Sequence, residues 1–284
     1  MSQTDPFEFQ HYVIADKQFR YLKELIYKEA GINLTDAKRC LVQTRIGKLM
    51  RKNHINGYDD LFNKLQSETD GKTLELVLDS ISTNHTFFFR EDAHFSYLTE
   101  TILPTLVKTH GLKHIKIWSS ASSSGEEPYS IAISMMEALS AYPGVTFSIF
   151  ASDISVTVLE KARKGIYPLE ELDGMPDTLK RKYFQRGKSG FTDLVKVKPA
   201  LRDKITYAKH NLLEQLQLKD SFDIIFCRNV MIYFDNPTKE KIVSLLCTRL
   251  SANGYFINGH SESLSAIKHN LTMIKPTIYR RLNG

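Results

Sequence analysis

The chain has 284 residues, 42% of them apolar and 25% charged, and a formal net charge of +6. This is ordinary globular composition, long enough for one large or two modest domains, and no apolar run approaches the roughly 20 residues of a membrane span. Three widely separated cysteines without CxxC spacing argue against a disulfide framework and a zinc site, and the stretch MSQTDPFEFQHYVIADKQF lacks the basic start and apolar centre of a signal peptide, so a cytoplasmic protein that is not integral to a membrane is expected.

Residues 17–83 carry helical periodicity. KQFRYLKELIYKEAG ends at Gly31, a helix stop. LTDAKRCLVQTRIGKLMRKNH follows, with Thr35 or Asp36 as N-cap and Val42, Ile46, Leu49 and Met50 as its apolar stripe. Between Lys38 and Lys52 there are six Lys/Arg and no acid, with Arg45 on one face with Lys38, Lys48 and Lys52. That excess suits an anionic partner, and equally a solvated face. YDDLFNKLQS and GKTLELVLDSIS complete an all-helical unit. TNHTFFFRED (83–92) then joins it to the rest. Its three phenylalanines want burial, and Arg90 beside them suits a carboxylate, which a guanidinium binds with two prongs.

From about residue 112 short apolar strands (HIKIW, TFSIFASD, KITYAKHN, FDIIFCRN, GYFING) alternate with helices, the pattern of a parallel sheet covered by helices. Residues 166–200 interrupt it with turn signals and the alternating LVKVK, read as an inserted helical turn and a small β-hairpin. LTMIKPTIYRRL closes the chain as a hairpin with an antiparallel strand.

The loop after HIKIW holds five serines, one alanine and only Gly125, where a nucleotide loop is normally glycine-rich. Serine allows nearly as close a backbone approach where φ need not be positive. The helix that follows opens with Glu126 and Glu127. Carboxylates there complement the helix dipole, but they repel a pyrophosphate and suit a ligand bearing a cation. Asp153 ends the second strand, where an acid takes ribose hydroxyls or caps the next helix. Arg228 and Asn229 end the strand FDIIFC at the edge where open α/β sheets bind ligands. NAD is disfavoured because GxGxxG is absent. S-adenosylmethionine, with adenosine, a sulfonium, an ammonium and no phosphate, fits better.

TNHTFFFRE (83–91), SSSGEEPYSIA (122–132), FASDIS (150–155), LEKARKGIY (159–167), FCRNVMIYF (226–234) and GHSES (259–263) together resemble the CheR family of chemotaxis receptor methyltransferases, over nearly the whole chain and in order. The resemblance implies an α/β fold: a Rossmann-like S-adenosylmethionine-dependent methyltransferase sheet with a small β-subdomain insert, preceded by an all-α N-terminal domain. The expected division is 1–83 for the helical, receptor-docking domain, 84–111 for a linker and connecting helix that contributes to the cofactor site, and 112–284 for the methyltransferase domain with its insert at about 166–200. The implied activity is methyl transfer from S-adenosyl-L-methionine to receptor glutamates, giving γ-methyl esters for sensory adaptation and S-adenosyl-L-homocysteine as product.

By the same resemblance, Asn84, Thr86 and Arg90 contact the cofactor from the linker, and Glu127 rather than Glu126 lies near its methionine end. Asp153 takes the ribose, Asn211 and Leu212 flank the adenine, and Arg228 and Asn229 complete the pocket. Tyr233 matches the family tyrosine near the transferred methyl, and Arg90 or Tyr233 orients the substrate carboxylate. His85 departs from the family, which has a residue such as leucine there. Arg45, Lys48, Arg51 and Lys52 form the expected docking face for the acidic methylation region of the receptors. FQRGKSGFTDLVKVK (184–198) resembles the insert that in some members binds a C-terminal receptor peptide by strand addition. No metal ligand set, no nucleic-acid partner and a monomer are expected, with recruitment to receptor arrays at the membrane. Against a nucleic-acid methyltransferase, the position after FDIIFC reads RNVMIYF, without the Asn/Asp-Pro-Pro-aromatic turn of the amino-directed enzymes. A non-enzymatic S-adenosylmethionine sensor is the second alternative, and it would keep the pocket without turnover.

Overall fold

The computed structural model describes residues 12–282, so part of the N-terminal stretch read for a signal peptide lies outside the described residues. The chain forms two compact units: one ends at Thr83 and also takes in Tyr233–Asp235, and the other is Asn84–Ile232 with the chain from Asn236 onward.

The first unit contains α1 (Asp16–Ala30), α2 (Arg39–Lys52), α3 (Tyr58–Ser67) and α4 (Lys72–Ile81). Gly31 ends α1 in the left-handed region at φ 72°, its N–H returning to the Tyr27 carbonyl. A 3₁₀ turn, Asp36–Lys38, precedes α2, so Thr35 caps that turn, and its side chain makes no capping bond. Phe19, Leu22 and Ile26 of α1, Val42, Ile46 and Met50 of α2, Leu61 of α3 and Val77 of α4 are buried, as their helical spacing requires. On α2, Lys48 and Lys52 are exposed while Arg45 and Arg51 are half-buried. The Arg45 guanidinium donates to the carbonyls of Ile81 (2.6 Å) and Ser82 (3.1 Å) and to the Thr83 hydroxyl (3.1 Å). It therefore closes the C-terminal end of α4, whose last carbonyls have no partner within the helix. Tyr233 sits in this unit: its carbonyl accepts from the Asn33 N–H at 2.8 Å, and Lys38 Nζ lies 5.9 Å from its ring centroid.

The second unit is a mixed α/β fold with a mostly parallel sheet. α5 (Ala93–Tyr97) runs on through two wider π turns, Leu98–Ile102 and Thr105–Thr109, around Pro104. Proline lacks the N–H that a regular turn would use there. Then follow β1 (His114–Ser119), α6 (Glu126–Ala138), β2 (Thr146–Asp153), α7 (Val156–Lys164), β3 (Ile166–Pro168), α8 (Asp177–Tyr183), β4 (Phe184–Arg186), β5 (Leu194–Val197), α9 (Pro199–Arg202), β6 (Ile205–Lys209), β7 (Phe222–Cys227), α10 (Asn236–Thr248), β8 (Leu250–Asn258), β9 (Thr272–Lys275) and β10 (Ile278–Arg280). The main sheet has the order β6-β2-β1-β7-β8-β10-β9. Its first five strands are parallel, and β10 is antiparallel to both neighbours. Ile117 of β1 lies between Ile149 and Ile224, all fully buried, because a central strand is covered on both faces.

The insert is a separate antiparallel sheet of three strands, β3-β5-β4, rather than the expected hairpin. β3 is only Ile-Tyr-Pro, too short to show alternation, and its proline is tolerated because β3 is an edge strand. Among the described residues no helix is long and apolar enough to cross a membrane.

Candidate active site

Parallel pairing brings the carboxyl ends of β1, β2, β7 and β8 to one edge: Ser119 aligns with Ala151 and Phe226, and Cys227 with Asn258. The loop from Ser120 to Gly125 lies over this edge, held by its serines. Ser120 donates to the Phe226 carbonyl through both N–H (2.9 Å) and hydroxyl (3.0 Å). The Ser122 N–H reaches the Ser152 carbonyl (2.9 Å), and the Ser123 hydroxyl reaches the Asn84 carbonyl (2.9 Å). A glycine loop would have the backbone bonds and lack the hydroxyl ones. Gly125 stands at φ 103°, and a Cβ there would lie 2.8 Å from the Tyr167 hydroxyl and 2.9 Å from the Ala162 Cβ. Only glycine meets both demands.

The two glutamates opening α6 turn to different surroundings. Glu126 is buried, bonded by the Ser124 hydroxyl and 3.8 Å from Lys161 Nζ. Burial pushes its carboxyl up to about 7, against the opposing pull of Ser124 and Lys161. Glu127 accepts from the Ser119 hydroxyl (2.7 Å) and from Arg228 Nη1 (2.9 Å). Burial raises it too, with the Arg228 charge working against that rise. Asp153 at the end of β2 accepts the Ser123 N–H on one oxygen (2.9 Å) and the Ser155 N–H on the other (3.0 Å).

Arg228 ties the edge together. It is almost wholly buried, sits 5.4 Å from the Phe95 ring centroid, and binds Glu127, Glu91 (3.2 Å) and the Arg90 carbonyl. Asn229 adopts φ 58°, which turns its amide to Glu91 (3.0 Å) and its N–H to Glu262 (2.7 Å). Asparagine tolerates this left-handed conformation better than most residues. Burial works to raise the Glu91 carboxyl, but the Asn229 amide and the Arg228 charge outweigh it and hold it below the usual range. Glu262, in the turn after β8, also accepts the Gly259 N–H (2.8 Å), and burial raises it. A Cβ on Gly259 would fall 2.6 Å from the Asn229 amide nitrogen and 2.7 Å from the Glu262 carboxylate.

Of the residues singled out from sequence, Glu127, Asp153, Arg228 and Asn229 converge on this edge, and the Asn84 carbonyl anchors the serine loop to it. Asn211 and Leu212 follow β6, the strand beside β2, where the His210 N–H binds the Asp153 carbonyl (3.0 Å). The Asn211 side chain accepts the Leu213 N–H (3.0 Å), and Leu212 is buried. Thr86 and Arg90 lie half-buried in the 84–92 segment, with the Arg90 guanidinium donating to the His85 carbonyl (2.8 Å). Tyr233 and the α2 residues belong to the helical unit. The expectation that all three phenylalanines are buried fails for Phe87, which is 47% exposed. Phe88 packs edge-on against Tyr167 and Phe184, and Phe89, at φ 57°, packs against Phe95. Three consecutive side chains of an irregular segment point in different directions, and Phe87 instead carries Arg90 over its ring at 5.7 Å.

Sequence reasoning assigned no role to Glu91, Glu262 or Ser119. Glu91 and Glu262 fall inside the FFFRE and GHSES motifs, and a lone acid in a Gly/Ser turn at a strand end was the available signal. The donor set fits an adenosyl cofactor with cationic groups. Glu91, Glu127 and Asp153 supply negative charge at the strand ends, and the α6 N-terminus that would bind a phosphate carries its own acids.

Residues 84–280 match the model described as CheR methyltransferase, SAM binding domain, and residues 17–82 match CheR methyltransferase, all-alpha domain. The chain is 37% identical over 275 residues to the chemotaxis protein methyltransferase of Borreliella burgdorferi, covering 95% of each chain. It is 38% identical over 271 residues to that of Salmonella typhimurium, covering 95% of this chain and 92% of the relative. With both units matched along nearly their full length and the serine loop, Asp153 and Arg228 gathered at one sheet edge, the chain belongs to the CheR methyltransferase family.

Proposed function

We propose that this protein transfers methyl groups from S-adenosyl-L-methionine to glutamate side chains of chemotaxis receptors, forming γ-methyl esters. The observation that carries this reading is the sheet edge that gathers the acids Glu127 and Asp153 with Arg228 in a chain of this family. When bound, the cofactor supplies an electrophilic methyl group on a sulfonium. Asp153, already oriented by two backbone N–H groups, takes the ribose hydroxyls. Asn211 and Leu212 flank the adenine. Glu127 and Arg228, with Asn84, Thr86, Arg90 and Asn229, hold the methionine end.

The substrate needs no base. A glutamate side chain has a reference pKa near ~4.3 and is anionic at neutral pH. The protein's part is to strip water from that carboxylate and align it, and alignment alone can supply roughly 7–11 kcal/mol of a barrier. Arg90, through its two-pronged guanidinium, or Tyr233 orients the carboxylate.

The helical unit docks on the acidic region of the receptor through α2. Lys48 and Lys52 supply the exposed charge, Arg51 lies beside them, and Arg45 holds α2 to α4. Lys48→Ala with Lys52→Ala is expected to weaken receptor binding in a salt-dependent way and leave the urea midpoint nearly unchanged. Arg45→Ala is expected to cost about 1–2 kcal/mol in the same unfolding experiment, because it uncaps α4. Equal stability of the two variants would sink this division of roles. The insert offers β3 or β4 as an edge for a receptor C-terminal peptide. The protein works as a cytoplasmic monomer recruited to receptor arrays.

The test is transfer of labelled methyl to receptor-containing membranes, followed by mild base. Release as volatile methanol is expected, reduced in Arg90→Ala and Tyr233→Phe and lowered by free receptor C-terminal peptide where receptors carry one. Base-stable label would return a nitrogen acceptor. Cofactor binding without transfer to cognate receptors would favour a sensor.

A further inference from the structure

On the outer side of Glu91, a carboxylate oxygen and one ring nitrogen from each of His94 and His260 lie within 4.8 Å of one another. His94 is 2% exposed, and its Nε2 is 2.8 Å from the Thr277 hydroxyl oxygen. That hydroxyl donates its proton to the Pro276 carbonyl at 2.6 Å. A hydroxyl has one proton to give, so in the arrangement that keeps the Pro276 bond it accepts from His94 and the ring carries its proton on Nε2. The His94 Nδ1 is then a bare lone pair. It is buried without a hydrogen-bond partner and faces Glu91 Oε2 at 3.4 Å. Two acceptors turned toward each other in a buried place repel unless a cation lies between them.

The Glu91–His94 spacing has the right size for one, and the exposed His260 ring would close the rest of the 4.8 Å triad on binding. Zinc binds nitrogen and carboxylate oxygen at about 2.0–2.2 Å, so two ligands of a tetrahedral ion stand roughly 3.4 Å apart. The His260 ring meets that of His94 edge-on at 4.8 Å between centroids and is exposed, which leaves an entry path. The supporting bonds are those of a built site. Thr277 fixes the His94 ring, and Asn229 and the His260 N–H (3.2 Å) hold the Glu91 carboxylate. Arg228 Nη2 donates to the same oxygen, Glu91 Oε2 (3.2 Å), and its Nη1 binds Glu127 more closely (2.9 Å), so an ion at this oxygen would draw Arg228 toward Glu127. We propose that Glu91, His94 and His260 form a site for one divalent transition-metal ion of the zinc class, with its fourth position open to solvent. It uses none of the three cysteines, and Glu91 and His94 stand three residues apart while His260 comes from a distant segment.

The test uses the full chain without a histidine tag, freed of metal with a chelator. Equilibrium dialysis against Zn²⁺ alone should give one tight equivalent, and Co²⁺ should give the intense visible absorption of a four-coordinate ion that Zn²⁺ displaces. His260→Ala, at an exposed position that does not threaten the fold, should lower Zn²⁺ affinity by more than about 100-fold, and Thr277→Val by about 10–100-fold. Absence of saturable Zn²⁺ in the wild-type chain, or unchanged affinity in His260→Ala, would overturn the proposal. The His94 Nδ1 would then carry a proton to Glu91 as a plain hydrogen bond.

Discussion

Arg228→Met is expected to abolish cofactor binding and to cost the fold about 3–5 kcal/mol, the range seen when one member of a buried ion pair is removed. The arginine side chain is 1% exposed, with Glu127 at 11% and Glu91 at 14%. Methionine fills much of the space against Phe95 but leaves two carboxylates buried near each other without a counter-charge. The Arg90 carbonyl loses its donor as well, so the segment carrying Asn84, Thr86 and Arg90 loosens with them. Arg228→Lys should recover little, since a single ammonium cannot reproduce a fork that meets two carboxylates and a carbonyl. Urea unfolding and calorimetric titration with S-adenosylmethionine check both parts. A variant that kept wild-type affinity and midpoint would show that this network organises nothing.

Gly125→Ala is the second large effect, expected at about 2–4 kcal/mol from a strained φ together with overpacking. The new Cβ would press on Tyr167, whose hydroxyl donates to the Ser124 carbonyl (2.7 Å), and on Ala162 of α7. Neither can retreat cheaply, because both are fully buried. The serine loop would shift, and S-adenosylmethionine affinity should fall at least about tenfold, an amount that takes only about 1.4 kcal/mol. Gly144→Ala is the control. It has a similar φ of 83° and nothing within 4 Å of the added carbon. Its unfolding midpoint should move by the backbone strain alone. If the two substitutions cost the same, crowding at Gly125 is not the source of the effect.

The fold was largely legible in the sequence because its signals are local. Helical spacing in 17–83 and strand–helix alternation after residue 112 follow from the 3.6- and 2-residue periods of the backbone. The insert shows the limit: β5 alternates and reads as a strand, whereas the three-residue β3 has no room for a pattern. Arg45 and Phe87 show another. Composition marks a basic helix and an apolar triplet, but it does not say that one arginine turns inward to cap α4, or that one ring stays outside under a guanidinium.

The sequence by itself determined the class of chemistry. Acids at the start of α6 and the end of β2, a serine loop without GxGxxG, and Arg228-Asn229 at a strand end disfavour a pyrophosphate cofactor and favour a cationic adenosyl one, and the ordered motifs point to the family. Tertiary structure alone decided which charges meet. Glu127 binds Arg228 across 101 residues, Glu91 binds Asn229 across 138, and the adjacent Glu126 faces Lys161 instead. The physical reason is that a side chain's partner depends on where parallel strands bring their ends and on which face of a helix turn it occupies. Local propensity encodes the second only by period, and the first not at all.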